Sequence, residues 1–208
     1  SGVQNRDEEI FEHKPFAVIA DALARQGIAT LRYDDRGFGE STGDLVNVTT
    51  EDLKNDALAG IELLRKQFDC VGVIGHSEGG TIGLMLAAEG KVDFVVSLAG
   101  SIVSGQKILL EQNQWMLQQA GYAPEVVERY CKVLEGLFND VKAGTTPVVD
   151  SEGLPVELAQ NLQAVKAQCS TPYMRYFLAL DASTCLNKVK CPVLTSRSEE
   201  RFSRNAET

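Results

Sequence analysis

The sequence predicts an α/β fold: a mostly parallel sheet flanked by helices, carrying a helical insertion. Three observations predict it. Short β-branched or apolar runs alternate with helical periodicities before Gly100. One of them, Cys70–Ile74 (CVGVI), is continuously apolar, as a strand buried on both faces must be. The intervals between the runs suit βαβ crossovers rather than hairpins. A chain of 208 residues has room for one such domain, or one domain with a sizeable insertion.

Lys14-Pro15-Phe16 opens the first helix, with Phe16, Ile19, Ala20 and Leu23 along one face. Proline suits the first turn, where its missing N–H costs nothing, and Gly27 closes the helix as a left-handed cap. Ile28–Tyr33 (IATLRY) reads as a strand ending in the loop Asp34-Asp35-Arg36-Gly37-Phe38-Gly39. A second helix runs from about Glu51 to Gln67 on Leu53, Ala57, Ile61 and Leu64, with Thr49 and Asp52 as a capping box. The strand Cys70–Ile74 leads through Gly75-His76-Ser77-Glu78-Gly79-Gly80 into a small-residue helix, Thr81–Glu89, which Gly90 ends. Val92–Ala99 is the next strand.

Helical stretches dominate from Gly100 to Asn187: Gln106–Ala120, Pro124–Lys142, Pro155–Cys169 and Pro172–Leu180, with Pro147 and Gly153 in a loop. This block is too long for one crossover helix and reads as an insertion covering one end of the sheet. Cys191–Thr195 returns to strand character, and Arg197–Thr208 is a polar tail. The expected organisation is a core over 1–99, an insertion over 100–187, and a last strand with its tail over 188–208.

Composition narrows the function classes. With 20 Lys+Arg against 29 Asp+Glu, the net charge of -9 opposes nonspecific binding to nucleic acid or anionic membrane. No apolar run approaches the about 18 residues of a membrane span. Five cysteines without a C-x-x-C, and two histidines, predict reduced thiols in a cytoplasmic setting rather than a zinc site or disulfide framework. Gly37-Phe38-Gly39 lacks the rest of a dinucleotide fingerprint, so no cofactor and no metal are expected.

Gly75-His76-Ser77-Glu78-Gly79 matches G-x-S-x-G between a buried strand and a helix, where a nucleophile elbow lies. A tight turn there needs small neighbours (Gly75, Gly79, Gly80) and lifts the Ser77 hydroxyl clear of the sheet. The N–H of Glu78, at the helix N-terminus, then faces a developing oxyanion. His76 is a poor general base for Ser77, because side chains of adjacent residues diverge at such a turn; a packed, hydrogen-bonded role is expected. The Glu78 side chain is expected to be a solvated first-turn carboxylate, His13 to have a polar role before the first helix, and Arg36 to brace its loop by ion pairing.

The run Gln4-Asn5-Arg6-Asp7, with His13-Lys14-Pro15-Phe16, Leu31-Arg32-Tyr33-Asp34-Asp35-Arg36-Gly37, Ser41-Thr42-Gly43 and the elbow, resembles the α/β-hydrolase superfamily. Within it the chain is similar to bacterial serine esterases of the dienelactone-hydrolase-like, S9-peptidase-related branch. The resemblance implies an α/β-hydrolase fold, Ser77 as nucleophile and Glu78 N–H as one oxyanion donor. It implies a second donor from Gly2 or its neighbour Val3. It also implies a lid over 100–187, in which Trp115 and Phe138 either line the acyl pocket or belong to lid core. The implied substrate is a small-molecule ester.

The resemblance also predicts an acid after the strand at Cys191–Thr195 and a histidine near the C-terminus. Glu199 and Glu200 are the only acids there, and no histidine follows His76. The chain begins Ser1-Gly2-Val3 without a Met, and the family places a strand between Ile28–Tyr33 and Cys70–Ile74. Both ends are therefore expected to be cut, leaving open sheet edges through which copies associate. Two functions follow as expectations: a serine acyl hydrolase weakened by the missing base, or a ligand-binding relic of one.

Overall fold

A computed structural model describes residues 3–9, 11–169 and 171–196. Its internal contacts divide the chain into two units. One comprises Ser1–Leu45, Glu51–Ser101 and Thr184–Thr208; the other comprises Val46–Thr50 and Ile102–Ser183.

The first unit is built on three parallel strands in the order β1 (Val73–His76), β2 (Val95–Leu98) and β3 (Val193–Ser196). Val73 pairs with Val95, which pairs in turn with Val193, so the strands are aligned end to end. Asp93 fixes the entry to the sheet: its carboxylate accepts from Val71 N–H at 2.7 Å and pairs with Arg65 at 2.9 Å. Three helices belong to this part of the chain: α1 (Pro15–Ala24), α2 (Thr50–Leu64) and α3 (Glu78–Ala88).

Helix α1 ends as its sequence requires. Gly27 has φ +76°, and Gly27 and Ile28 N–H donate to Ala24 and Leu23 C=O. Helix α3 ends the same way at Gly90, with φ +69° and Lys91 N–H donating to Leu86 C=O. Along α3, Ile82, Leu84, Leu86 and Ala87 are buried, which explains a helix apolar on nearly every side. Lys54 of α2 is itself buried and donates to Glu89 at 2.5 Å and to Glu51 at 2.8 Å, tying α2 to the end of α3.

One expected strand does not form. Ile28–Tyr33 joins no ladder, and the reason lies in what faces it. Residues 71, 73 and 77 of the β1 line exchange hydrogen bonds with β2. By alternation, the polar backbone groups of Gly72, Ile74 and His76 point to the opposite edge. Among the described residues no strand pairs with that edge. Instead a cleft of about 460 Å³ lies between the two segments, lined by Ile28 and Leu31 on one side and Val71 and Ile74 on the other. A run with strand composition needs a paired neighbour to become a strand, and among the described residues none pairs with it.

The second unit contains α4 (Gly105–Gln119), α5 (Pro124–Ala143), α6 (Val156–Gln168) and α7 (Pro172–Ala179). Ser104 caps α4 and Thr171 caps α7, each accepting a backbone N–H at 3.3 Å. Gly144, at φ +74°, closes α5. The core is carried by α5, whose Tyr130, Leu134, Leu137 and Phe138 meet Leu162 of α6 and Leu178 of α7. Phe138 therefore belongs to the core of the helical unit, and Trp115 is half-buried. The buried Tyr130 hydroxyl donates to Asn161 at 2.5 Å, and burial pushes its pKa up to about 12. After α7 comes a 3₁₀ turn, Ala182–Lys188. Among the described residues no helix is long and apolar enough to cross a membrane.

Candidate active site

Ser77 stands between the last residue of β1 and the first residue of α3. Its backbone is at φ 50°, ψ -116°, a sparsely populated region that costs a non-glycine residue about 1–3 kcal/mol. Its main-chain groups are used: Ser77 N–H donates to Leu98 C=O at 2.9 Å, and Ser77 C=O accepts from Gly80 N–H at 3.0 Å. A serine at a helix N-cap ordinarily spends its hydroxyl on the helix, but this one makes no such bond, because its backbone is outside the extended region that capping needs. Residues on both sides fix the turn while the hydroxyl is left available for chemistry.

Two of the nearby glycines are required by close approach. A Cβ on Gly75 would run into the carbonyl of Gly79, and one on Gly80 would come within 2.6 Å of Ser97 Oγ. Gly79 differs, since a Cβ there would meet nothing within 4 Å. The turn is thus held tight by the first and last glycines of the run, not by all three.

Glu78 opens α3, so its N–H is among the helix's first donors, which have no intrahelical acceptor. Its side chain is not the solvated carboxylate expected from sequence: Glu78 is only 6% exposed. The first turn of α3 faces inward, and Glu78 shares a small cavity with Gln4, Asp35 and His76. There burial pushes the Asp35 carboxyl above its ordinary value; Gln4 N–H opposes this, and the charges of Glu78 and Asp56 add to it.

The segment after the expected oxyanion loop is pinned on three sides. Gln4 and Asp35 exchange bonds, with Gln4 N–H on Asp35 Oδ2 at 2.8 Å and Asp35 N–H on Gln4 C=O at 3.1 Å. Arg6 grips Asp34 through its own N–H at 2.8 Å and through its guanidinium at 3.0 and 2.7 Å. Asn5 turns the chain by accepting from Asp7 and Glu9 N–H, and Asp7 pairs with Arg32. Gly2, the other candidate donor, lies outside the described residues, as do Glu199 and Glu200.

Arg36 braces its loop as expected, pairing with Asp56 of α2 through two bonds of 2.6 Å. The Arg6 side chain, then the N–H groups of Arg6 and Glu40, hold the Asp34 carboxyl well below the usual carboxylate range. The sign follows from the depressed value. Unfolded Asp34 takes up a proton near pH 4, whereas the folded residue does so only at lower pH. The network's contribution is present above about pH 4 and is lost as pH falls through the folded value. Thermal melts followed by circular dichroism from pH 7 to pH 2 are expected to show Tm falling below about pH 4. Asp34→Asn is expected to lower Tm at pH 7 and to make that acid decline shallower.

Neither histidine reaches Ser77. His76 Nδ1 lies 2.7 Å from Glu8 Oε1, the packed and hydrogen-bonded role that the sequence indicated. His13 is exposed just before α1. Among the described residues no hydrogen bond joins either ring to Ser77. Sequence reasoning missed Glu8, which lies in a polar stretch whose pattern gives no sign that its carboxylate is buried.

A strand, a strained serine and a close-packed helix in this order are shared with a known group of enzymes. The sequence model of the Hydrolase_4 family, serine aminopeptidase S33, matches residues 12–185. The chain belongs to this family of hydrolases. It is 32% identical over 139 residues to the esterase EstD of Thermotoga maritima, covering 66% of this chain and 33% of that protein. The chain thus spans about a third of that esterase's length. Two solved structures support the α/β-hydrolase fold. One is the α/β hydrolase GrgF from Penicillium sp. sh18, with TM-score 0.54 and 14% identity over 94% of this chain and 68% of that one. The other is VinJ, with TM-score 0.50 and 18% identity over 92% and 69%. The family match does not single out the dienelactone-hydrolase-like branch within the superfamily.

Proposed function

We propose that this chain is a serine acyl hydrolase of carboxylic esters whose nucleophile is Ser77. The observation that carries the reading is Ser77 itself: a non-glycine residue at φ 50° whose backbone is fully bonded and whose hydroxyl is not used as a helix cap. Strain of this kind persists only where the surroundings over-determine it, and it clusters at reactive sites. In the proposed reaction the Ser77 hydroxyl attacks the ester carbonyl, and its proton passes to a base. The tetrahedral oxyanion is met by Glu78 N–H and by Val3 or Gly2 N–H. Its collapse expels the alcohol and leaves an acyl-enzyme, which water then cleaves to acid and free Ser77.

An apolar depression of about 650 Å³ supports an apolar acyl or alcohol group. It is lined by Phe11, Phe16, Val18, Ile19, His76 and Leu98, and the Leu98 carbonyl accepts from Ser77 N–H. Among the described residues no disulfide joins the five cysteines, which supports a reducing compartment.

A second reading, a ligand-binding hydrolase-like protein without turnover, is favoured by the histidines. The sequence has two, one held by Glu8 and the other exposed. Treatment with a fluorophosphonate followed by peptide mass spectrometry separates the two. A covalent adduct on the Ser77 peptide is the expected result; an unmodified peptide at millimolar probe leaves the binding reading in place.

A further inference from the structure

We propose that Glu8, acting through His76, is a positioning residue that holds the Val3–Glu9 segment against the nucleophile elbow. The inference deepens the proposed hydrolase reading and rests on it for its catalytic consequence.

Two costly features coincide at Glu8. Its carboxylate is buried, at 6% exposure, and its backbone has φ 50°, in the left-handed region that side chains disfavour. Both are offset by specific bonds. Glu8 N–H donates to Asn5 C=O at 3.1 Å, closing a turn, and Glu8 Oε1 lies 2.7 Å from His76 Nδ1. His76 immediately precedes Ser77 and is itself locked in β1.

The segment is also anchored on Asp34 and Asp35 in the loop after Tyr33, and on Arg32 just before it. Among the described residues, the Glu8–His76 bond ties the segment directly to the strand that leads into Ser77. Val3 N–H, the candidate oxyanion donor among the described residues, adjoins the pinned Gln4. A donor of this kind must be held within a few tenths of an ångström of where the oxyanion forms. The pair therefore sets the distance between the two halves of the oxyanion site, and it does so without touching substrate.

The test compares wild type with Glu8→Ala, Glu8→Gln and His76→Asn by two readouts on the intact chain. The first is the rate of phosphonylation of Ser77 by a fluorophosphonate. The second is hydrogen–deuterium exchange of peptides covering Val3–Glu9, β1 and α3. Glu8→Ala is expected to slow phosphonylation by about 10²-fold, the cost of losing one oxyanion donor. It should also speed exchange in Val3–Glu9 while leaving β1 and α3 protected.

Glu8→Gln, which keeps a neutral acceptor for His76, should recover most of both effects. The proposal is overturned if Glu8→Ala changes neither readout. It is equally overturned if exchange rises throughout β1 and α3 in step with the loss of rate, since that marks a merely structural residue. If wild type takes no label at all, the nucleophile reading fails by itself, and the exchange data alone still decide whether Glu8 holds the segment.

Discussion

A short p-nitrophenyl ester is expected to give a burst of about one p-nitrophenolate per chain, followed by slow turnover, and Ser77→Ala is expected to abolish the burst. The reasoning starts from the two half-reactions. Acylation expels p-nitrophenolate, a good leaving group that departs without a proton, so a strained serine at a helix N-terminus needs little help. Deacylation is harder, because water must be deprotonated as it attacks, and neither histidine of the chain is hydrogen-bonded to Ser77. Acyl-enzyme therefore accumulates.

The magnitudes separate the steps. A triad without its base retains about 10³–10⁴-fold over water from the oxyanion site and binding, and removing the nucleophile costs as much as removing the whole triad. Ser77→Ala should thus lose the burst completely while changing the slow phase little. Stopped-flow absorbance on stoichiometric enzyme reads both phases. A wild-type trace without a burst, its slow phase unchanged by Ser77→Ala, would overturn acyl-enzyme chemistry at this serine.

Much of this arrangement was legible in the sequence because it depends on local rules. Gly27 and Gly90 mark helix ends since only glycine takes a left-handed cap without strain, and both do so. The G-x-S-x-G run between an apolar strand and a small-residue helix placed the elbow, and Arg36 found its carboxylate partners. What was not legible depends on partners distant in sequence. Ile28–Tyr33 has strand composition, yet pairing is a property of two segments, and the edge of β1 faces a cleft instead. Glu78 follows Ser77 in a position that composition alone reads as solvated. It is buried because the first turn of α3 faces a cavity shared with Gln4 and Asp35. Glu8 gave no signal either, since its bond to His76 spans 68 positions.

The two glycines flanking the elbow motif look equivalent in sequence, and their alanine variants are expected to behave in opposite ways. In Gly75→Ala the new Cβ meets the Gly79 carbonyl and the Gly80 nitrogen. These are backbone atoms at the start of a buried helix, not the flexible end of a side chain, so relief requires α3 to move off β1. Overpacking of this kind costs about 1–3 kcal/mol where side chains can adjust. Here the cost should be about 3 kcal/mol or more, a large fraction of the 5–15 kcal/mol that holds a typical domain together.

In Gly79→Ala the Cβ meets nothing within 4 Å, and the position is the second residue of α3. Alanine is better than glycine by at most about 0.8–1 kcal/mol, the helix-interior value, and less in a first turn, so this variant should be neutral or slightly more stable. Urea unfolding followed by circular dichroism measures both: a large fall in midpoint for Gly75→Ala, with none for Gly79→Ala. Equal losses would mean that the elbow is not closed by the approach of Gly75 to the helix start. The strain at Ser77 would then need a source other than that approach.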